Sequence, residues 1–290
     1  MLIYAYEVAT VAAIFIIASV SLNLVVARAG LMSLCHGAII GVGAYAQAIL
    51  TVDYGLSPLV ALPLSILVAA AVGAALASVS VGLDEEQFAV TTLAFNLFMT
   101  NLIMNATGLT KGAYGIAQVP RPDIAGFGAT QLTYLCICVG SAIVIYFLFK
   151  RLGSSGFGTL LFASAHDRPM AESIGANVIW LRVVAFTLGS AGAGLAGALF
   201  AMHWGYISPE LFHLHLSILI LAMVILGGAQ TTRGAALGAI ILIVVPELLR
   251  FAAFDPVAAG PLRQLIFGFL IIAAVFVRYH RAARARMSVR

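Results

Sequence analysis

Thr91, Thr92, Asn96, Thr100, Asn101 and Asn105 interrupt an otherwise apolar run at 88–105. Hydroxyls and carboxamides at membrane depth are neither nucleophiles nor acids at neutral pH. Their chemistry is hydrogen bonding, either to a passing polar solute or to a neighbouring helix. Asn101 and Asn105 are four residues apart and share a helical face, while Asn96, five before Asn101, widens the set into a broad stripe. Such a stripe would line a wet route for a zwitterion or bond helix to helix, and the sequence leaves both open. Ser33, His36 and Gln47 stand in the same relation to the apolar run 31–50, where a lone His36 reads more readily as a hydrogen-bonded structural group. The candidate pathway residues are therefore Ser33, His36, Gln47, Thr92, Asn96, Asn101 and Asn105. His203, His213 and His215 flank the turn "GYISPELF", but no acid or cysteine completes a metal set with them.

Other chemistries lack their residues. The 11 Asp and Glu side chains fall in expected loops or near the ends of apolar runs. A proton-coupled carrier would keep a carboxylate near the middle of the membrane. Coupling to sodium through backbone carbonyls stays open. No Ser/His/Asp or His/Glu set shares an expected depth, so no enzyme active site is expected. No G-x-x-x-x-G-K-[ST] cradle for a nucleotide phosphate is present. Cys35, Cys136 and Cys138 lie inside apolar runs and read as small buried hydrophobes.

The stretch "SAHDRPMAESIGAN", Ser164–Asn177, breaks the hydrocarbon differently. Asp167 is suited to cap a helix, Pro169 to its first turn, and Gly175 to a left-handed close. Met170 and Ile174, four apart, share one face with Ala171 and Ala163 beside it, while Glu172 and Ser173 point elsewhere. About two turns of helix do not hold in water alone. The segment is therefore either a long loop with an interfacial turn or a knob held by a partner.

The elements that position these residues follow from composition. The chain has 290 residues, 62% hydrophobic and only 9% charged, with mean hydropathy +1.09. Soluble domains carry about 25% charged residues. The chain is thus read as a single all-α polytopic membrane domain, residues 1–290. A span needs about 20 apolar residues. Candidates fall near 4–26, 31–50, 58–79, 88–105, 132–150, 181–203, 213–228, 234–251 and 263–280, about nine with eight to ten allowed. The run 213–228 reads as broken or tilted and 31–50 as partly re-entrant. The first run lacks the basic start of a cleavable signal.

Lys and Arg placement sets orientation. With the 151–180 loop and the tail inside, the inner side holds Arg28, Lys150, Arg151, Arg168, Arg182, Arg233, Arg278, Arg281, Arg284, Arg286 and Arg290. The outer side holds Lys111, Arg121, Arg250 and Arg263. This predicts an outer loop at 106–131, an inner loop at 151–180 and a basic cytoplasmic tail at 278–290. Gly37 with Gly41, Gly234 with Gly238, and the stretch "GSAGAGLAGA" supply small faces for close helix packing.

Four stretches in colinear order resemble the permease subunits of branched-chain amino acid ABC importers, the LivM/LivH type. They are "AGLMSLCHGAIIGVGAYAQAIL", "LTKGAYGI", the segment from Ser164 through "GYISPELF", and "SILILAMVILGGAQTTRGAALGA" extended by "VPELLR". The likeness covers about residues 20–275 and leans to the LivM member through "GYISPELF". It implies that Asp167, Arg168, Met170, Ala171, Glu172, Ile174, Gly175 and Asn177 belong to a short cytoplasmic coupling helix that docks on an ATPase. It further implies a second homologous permease, two cytoplasmic ATP-binding subunits and an external solute-binding protein, set in the inner membrane and its lipid. ATP and Mg would be bound by those partners, with no cofactor in this chain and no nucleic acid. The solute would be a branched-chain or related small amino acid. Urea, short amides or small carboxylic acids remain alternatives within the family, and a stand-alone secondary transporter outside it.

Overall fold

A computed structural model describes residues 2–123, 130–228, 231–250 and residue 268. The described chain is helical apart from one ribbon of two-residue strands. In order it forms α1 (Leu2–Asn23), α2 (His36–Ala48), α3 (Pro58–Ser80), α4 (Glu85–Asn105), α5 (Thr107–Thr110), β1 (Ile116–Ala117) and α6 (Gln131–Gly153). It continues as α7 (Gly156–His166), α8 (Arg168–Ser173), α9 (Val178–Trp204), β2 (Tyr206–Ile207), α10 (Leu214–Gly227) and α11 (Thr232–Arg250). α1 and α2 close in wider π-type turns, Leu24–Arg28 and Ile49–Asp53.

Local chemistry sets many of the boundaries. Pro58 opens α3, where its missing N–H costs nothing. Thr130 Oγ1 accepts from Thr133 N at the start of α6, and Asn177 Oδ1 from Trp180 N at the start of α9. Gly205 ends α9 in the left-handed region at φ 66°.

Six described helices are long and apolar enough to cross a membrane: Ile3–Arg28, Pro58–Ser80, Glu85–Asn105, Gln131–Gly153, Val178–Trp204 and Pro209–Gly227. The expected nine are not all reproduced. The run 31–50 stays irregular through Cys35 and becomes helical only at His36. Thr232–Arg250 is helical but falls outside the six, and 263–280 lies outside the described residues apart from residue 268. The 151–180 segment, expected as a loop around one short helix, is largely helical, because α6 runs on to Gly153 and α7 fills residues 156–166.

Contacts sort the helix ends into two groups. At one end Lys111 pairs with Asp53, Gln131 reaches the carbonyl of Ile3, and Tyr206 bonds to Tyr114 O. At the other, Arg28 lies over the Phe162 ring, Arg182 bonds to Val81 O, and Gly30 abuts Ala165. These contacts put the start of α1, the close of α2 and the start of α6 at one end, and the close of α1, the end of α3 and the start of α9 at the other.

α9 is the centre of the packing. A Cβ on Gly43 would strike the backbone of Gly194, and one on Gly197 the carbonyl of Ile40, so α2 and α9 touch backbone to backbone. On its other side α9 meets the small stripe of α3: Gly194 lies against Ala69, and Gly73 against Ser190. α10 and α11 repeat the device with Gly227 on Gly234 and Gly238 on Met223 O. α3 buries Ala61, Ser65, Ala69, Gly73 and Ala77 and turns Leu59, Val60, Leu67 and Val68 outward. Gly197→Val should therefore destabilise the chain in detergent by more than the ~1–3 kcal/mol typical of overpacking, read as a sharply lower melting temperature, because the obstacle is backbone. Gly140→Ala, with open space around it, should leave the melting temperature unchanged or slightly raised.

Candidate functional site

The break before α2 gathers several of the expected polar residues. Chain that leaves a helix inside a bundle must find partners for its freed N–H groups. Leu34 N donates to Thr92 Oγ1 at 3.1 Å and Gly37 N to Ser217 Oγ at 2.8 Å. His36 Nε2 lies 2.9 Å from Ser21 Oγ, and Ser33 Oγ lies 3.3 Å from Cys35 Sγ. Asn96 Nδ2 donates to Ser217 Oγ at 2.9 Å, so α2, α4 and α10 converge on one serine hydroxyl. Ser33, His36, Thr92 and Asn96 are all buried.

Gln47 is elsewhere. Its Nε2 donates to Pro58 O at 3.1 Å and its Oε1 accepts from Ser65 Oγ at 3.0 Å, tying α2 to the start of α3. The structure thus gives Gln47 the role of an interhelical clamp.

The α4 residues do not form one stripe. Phe88, Thr92, Asn96, Thr100 and Ile103 face inward at nearly four-residue spacing. Asn101 and Asn105 lie on the exposed side, each bonding back to a carbonyl four residues earlier, Leu97 O and Asn101 O. Asn96 and Asn101 differ by five residues, about 500° of helical rotation or 140° net, which parts them.

The Ser164–Asn177 stretch bends at Asp167. Asp167 Oδ1 accepts from Met170 N at 3.0 Å, Pro169 occupies the first turn of α8, and Gly175 closes it at φ +85°. Arg168 Nε bonds to Glu172 Oε1 at 2.8 Å one turn on. Met170 and Ile174 are each 65% exposed and project together. Ala171, expected beside that face, is 1% exposed, because it lies on the side of α8 that seats on the bundle. Asn177 caps α9, so α8 and α9 are joined by only Ile174–Asn177. α7 is fixed by Arg28 over Phe162 at 5.6 Å and by Phe157 edge-on to Trp180 at 6.4 Å.

At the opposite end, β1 pairs antiparallel with β2, Ile116 opposite Ile207 and Ala117 opposite Tyr206. Gly115, at φ +67°, lies so close to Ile207 O that no side chain fits. Arg121 donates to His203 O at 2.9 Å and lies over the Tyr134 ring at 5.5 Å. The stretch from Gly115 to Arg121 and the turn after α9 are therefore one structure fixed to the end of α9.

Sequence reading overlooked Ser217, Ser21 and Ser65, which complete these networks. The signal was available, since each is a hydroxyl inside an apolar run.

A family model described as the branched-chain amino acid transport system permease component matches residues 4–275. The chain is 32% identical over 285 residues to the high-affinity branched-chain amino acid transport system permease protein LivM of Escherichia coli (strain K12), covering 90% of this chain and 67% of that protein. It is 26% identical over 218 residues to a probable LivM permease of Methanocaldococcus jannaschii, 71% of this chain and 62% of that one. It is 23% identical over 287 residues to the permease protein BraD of Pseudomonas aeruginosa, 92% of this chain and 91% of that one. No solved structure matches.

Ser217→Ala should destabilise the chain by about 1–3 kcal/mol, since it strips partners from the buried Gly37 N–H and the Asn96 amide. Chemical denaturation in mixed micelles reads this out, and a variant as stable as the wild type would deny the serine its bridging role.

Proposed function

The chain belongs to the branched-chain amino acid transport permease family, and on that premise we propose that it is one of two permease subunits of an ATP-driven importer for branched-chain or closely related amino acids. It carries no phosphate cradle, so hydrolysis falls to partner subunits. The observation that carries the reading is the capped knob of α8. Met170 and Ile174 present an unpartnered apolar pair beside an intramolecular Arg168–Glu172 bond. Seating both in a groove contributes about 3–6 kcal/mol, at roughly 1.5–3 kcal/mol per side chain. Asp167, Arg168, Glu172, Gly175 and Asn177 shape the knob, Ala171 seats it, and α9 receives whatever movement it transmits.

On this reading α2 with its π-type close (36–53) and α11 span the membrane alongside the six longer helices, and 263–280 supplies the ninth span. The end bearing α7 and α8 faces the cytoplasm with the tail, 278–290, whose arginines favour anionic lipid. The ribbon of β1 and β2 faces outward, where a solute-binding protein would deliver the substrate. A second homologous permease and two ATPases complete the assembly in the inner membrane.

Glu172→Arg sets like charges one turn apart, and Gly175→Arg forces a side chain into the left-handed region. Each should reduce ATP-dependent uptake at least tenfold while leaving the protein inserted. Wild-type uptake in both variants would remove the docking assignment. A reporter fused after Arg290 should be active in the cytoplasm, and activity confined to the periplasm would invert the orientation.

A further inference from the structure

α10 itself has only 14 residues, about 21 Å, and the 19-residue span Pro209–Gly227 is completed only by the 3-10 turn before it, so the α-helical part starts short of the edge of a hydrocarbon core about 30 Å thick. It follows a 3-10 turn, Pro209–Phe212, that descends from the ribbon, and Phe212 lies against Gly41 inside the bundle. The N-terminus of α10 is therefore sunk in the membrane. No side chain caps it, and while Leu216 N already reaches His213 O, the N–H groups of Leu214 and His215 and the positive end of the dipole stay available.

A cavity of about 300 Å³ opens at this point, between His213–His215 and the stretch of α4 from Asn96 to Met104. Asn96 is close to the middle of α4, about 16 Å along the axis from Glu85 and about 14 Å from Asn105. Its side chain is 0% exposed, and while Nδ2 bonds to Ser217, Oδ1 has no partner among the described residues. A buried carboxamide oxygen without a donor costs about 1–3 kcal/mol, so a polar ligand that supplies one is favoured. Leu97 and Met104 give the same cavity an apolar wall, and Asn101, His213 and His215 a polar rim. The rim residues are exposed on helices whose large exposed side chains among the described residues include Leu97, Phe98 and Leu102 on α4 and Ile218 on α10, and hydrocarbon would penalise them.

We propose that this cavity is a transient binding site for the zwitterionic head and aliphatic side chain of a small amino acid in transit. The carboxylate takes the N-terminus of α10, the ammonium donates to Asn96 Oδ1, and the side chain lies on Leu97 and Met104. Neutral ligands without a charged partner hold the zwitterion weakly, as a conduit requires, since a deep well would stop release. A half-length helix aimed into the membrane at an anionic group is a general solution to carrying charge through hydrocarbon. The assignment rests on the permease reading and adds to it the location and chemistry of a step on the route.

Single cysteines test it: Asn101→Cys, His213→Cys and, as a control on the apolar face of α4, Phe98→Cys, each in a chain with Cys35, Cys136 and Cys138 replaced by alanine. The complete transporter, reconstituted in liposomes with its ATPases, second permease and binding protein, is exposed to a charged, water-soluble methanethiosulfonate. The first two cysteines should react and be protected at least tenfold by saturating L-leucine, and Phe98→Cys should not react. Silence at both rim cysteines would mean that lipid or protein seals the cavity, and reaction without protection would mean water but no site. Either result overturns the proposal. Asn96→Ala should in addition lower leucine uptake about tenfold while ATP hydrolysis stimulated by the binding protein persists. A parent assembly that takes up no leucine fails the permease reading itself, whereas normal uptake with unprotected cysteines fails the site alone.

Discussion

The contact on which the rest of this fold depends is the meeting of α9 with α2 through bare backbone and with α3 through the small side chains of Ala69 and Ser190. Between helices in lipid the hydrophobic effect gives little net gain, because acyl chains are as apolar as leucine. Association must come from close van der Waals contact and a few hydrogen bonds. Gly43, Gly194 and Gly197 allow backbones to touch where a single methyl would part them. That approach sets the position of α2, and with α2 the irregular chain before it. It also fixes the ends of α9, to which α8 and the ribbon are attached.

Two breaks in helical structure, 29–35 before α2 and 208–213 before α10, would each be costly if they faced lipid. The first is resolved internally: Leu31 N reaches Val25 O, Leu34 N reaches Thr92, and Gly37 N reaches Ser217. The hydroxyls of α4 and α10 thus complete a backbone that has left its own ladder. Thr92 and Ser217 serve this framework, His36 bonds to Ser21 beside it, and Gln47 ties α2 to α3 at another place. Asn96 stands at the border, with one end of its amide in that framework and the other end unengaged.

The sequence revealed the class of the fold, most helix boundaries and the capping of α8, because each depends on neighbours close along the chain. Asp167, Pro169 and Gly175 act within a few residues of themselves, and their roles carried over directly. What it did not reveal depends on distant partners. Periodicity placed Asn96 and Asn101 in one stripe, but which side of α4 faces the bundle is set by α2 and α10, and the helix divides the two. The burial of Ala171 follows from how α8 seats, and the start of α2 at His36 from how Thr92 and Ser217 hold the chain before it. The pairing of 116–117 with 206–207 joins segments about 90 residues apart and has no local signal beyond Gly115 and Gly205.

α9 runs unbroken for 27 residues, about 40 Å, between α8 at one end and the ribbon at the other. Its middle is gripped on two sides, by the backbone of α2 and the small side chains of α3, and its ends carry α8 and the ribbon. Mechanically that is a lever with a central fulcrum. A tilt of about 5° about the midpoint displaces each tip by about 2 Å, in opposite directions, with almost no motion at the glycines. A closely packed segment is thereby also one across which a small push at either end is returned at the other, with no hinge needed between them.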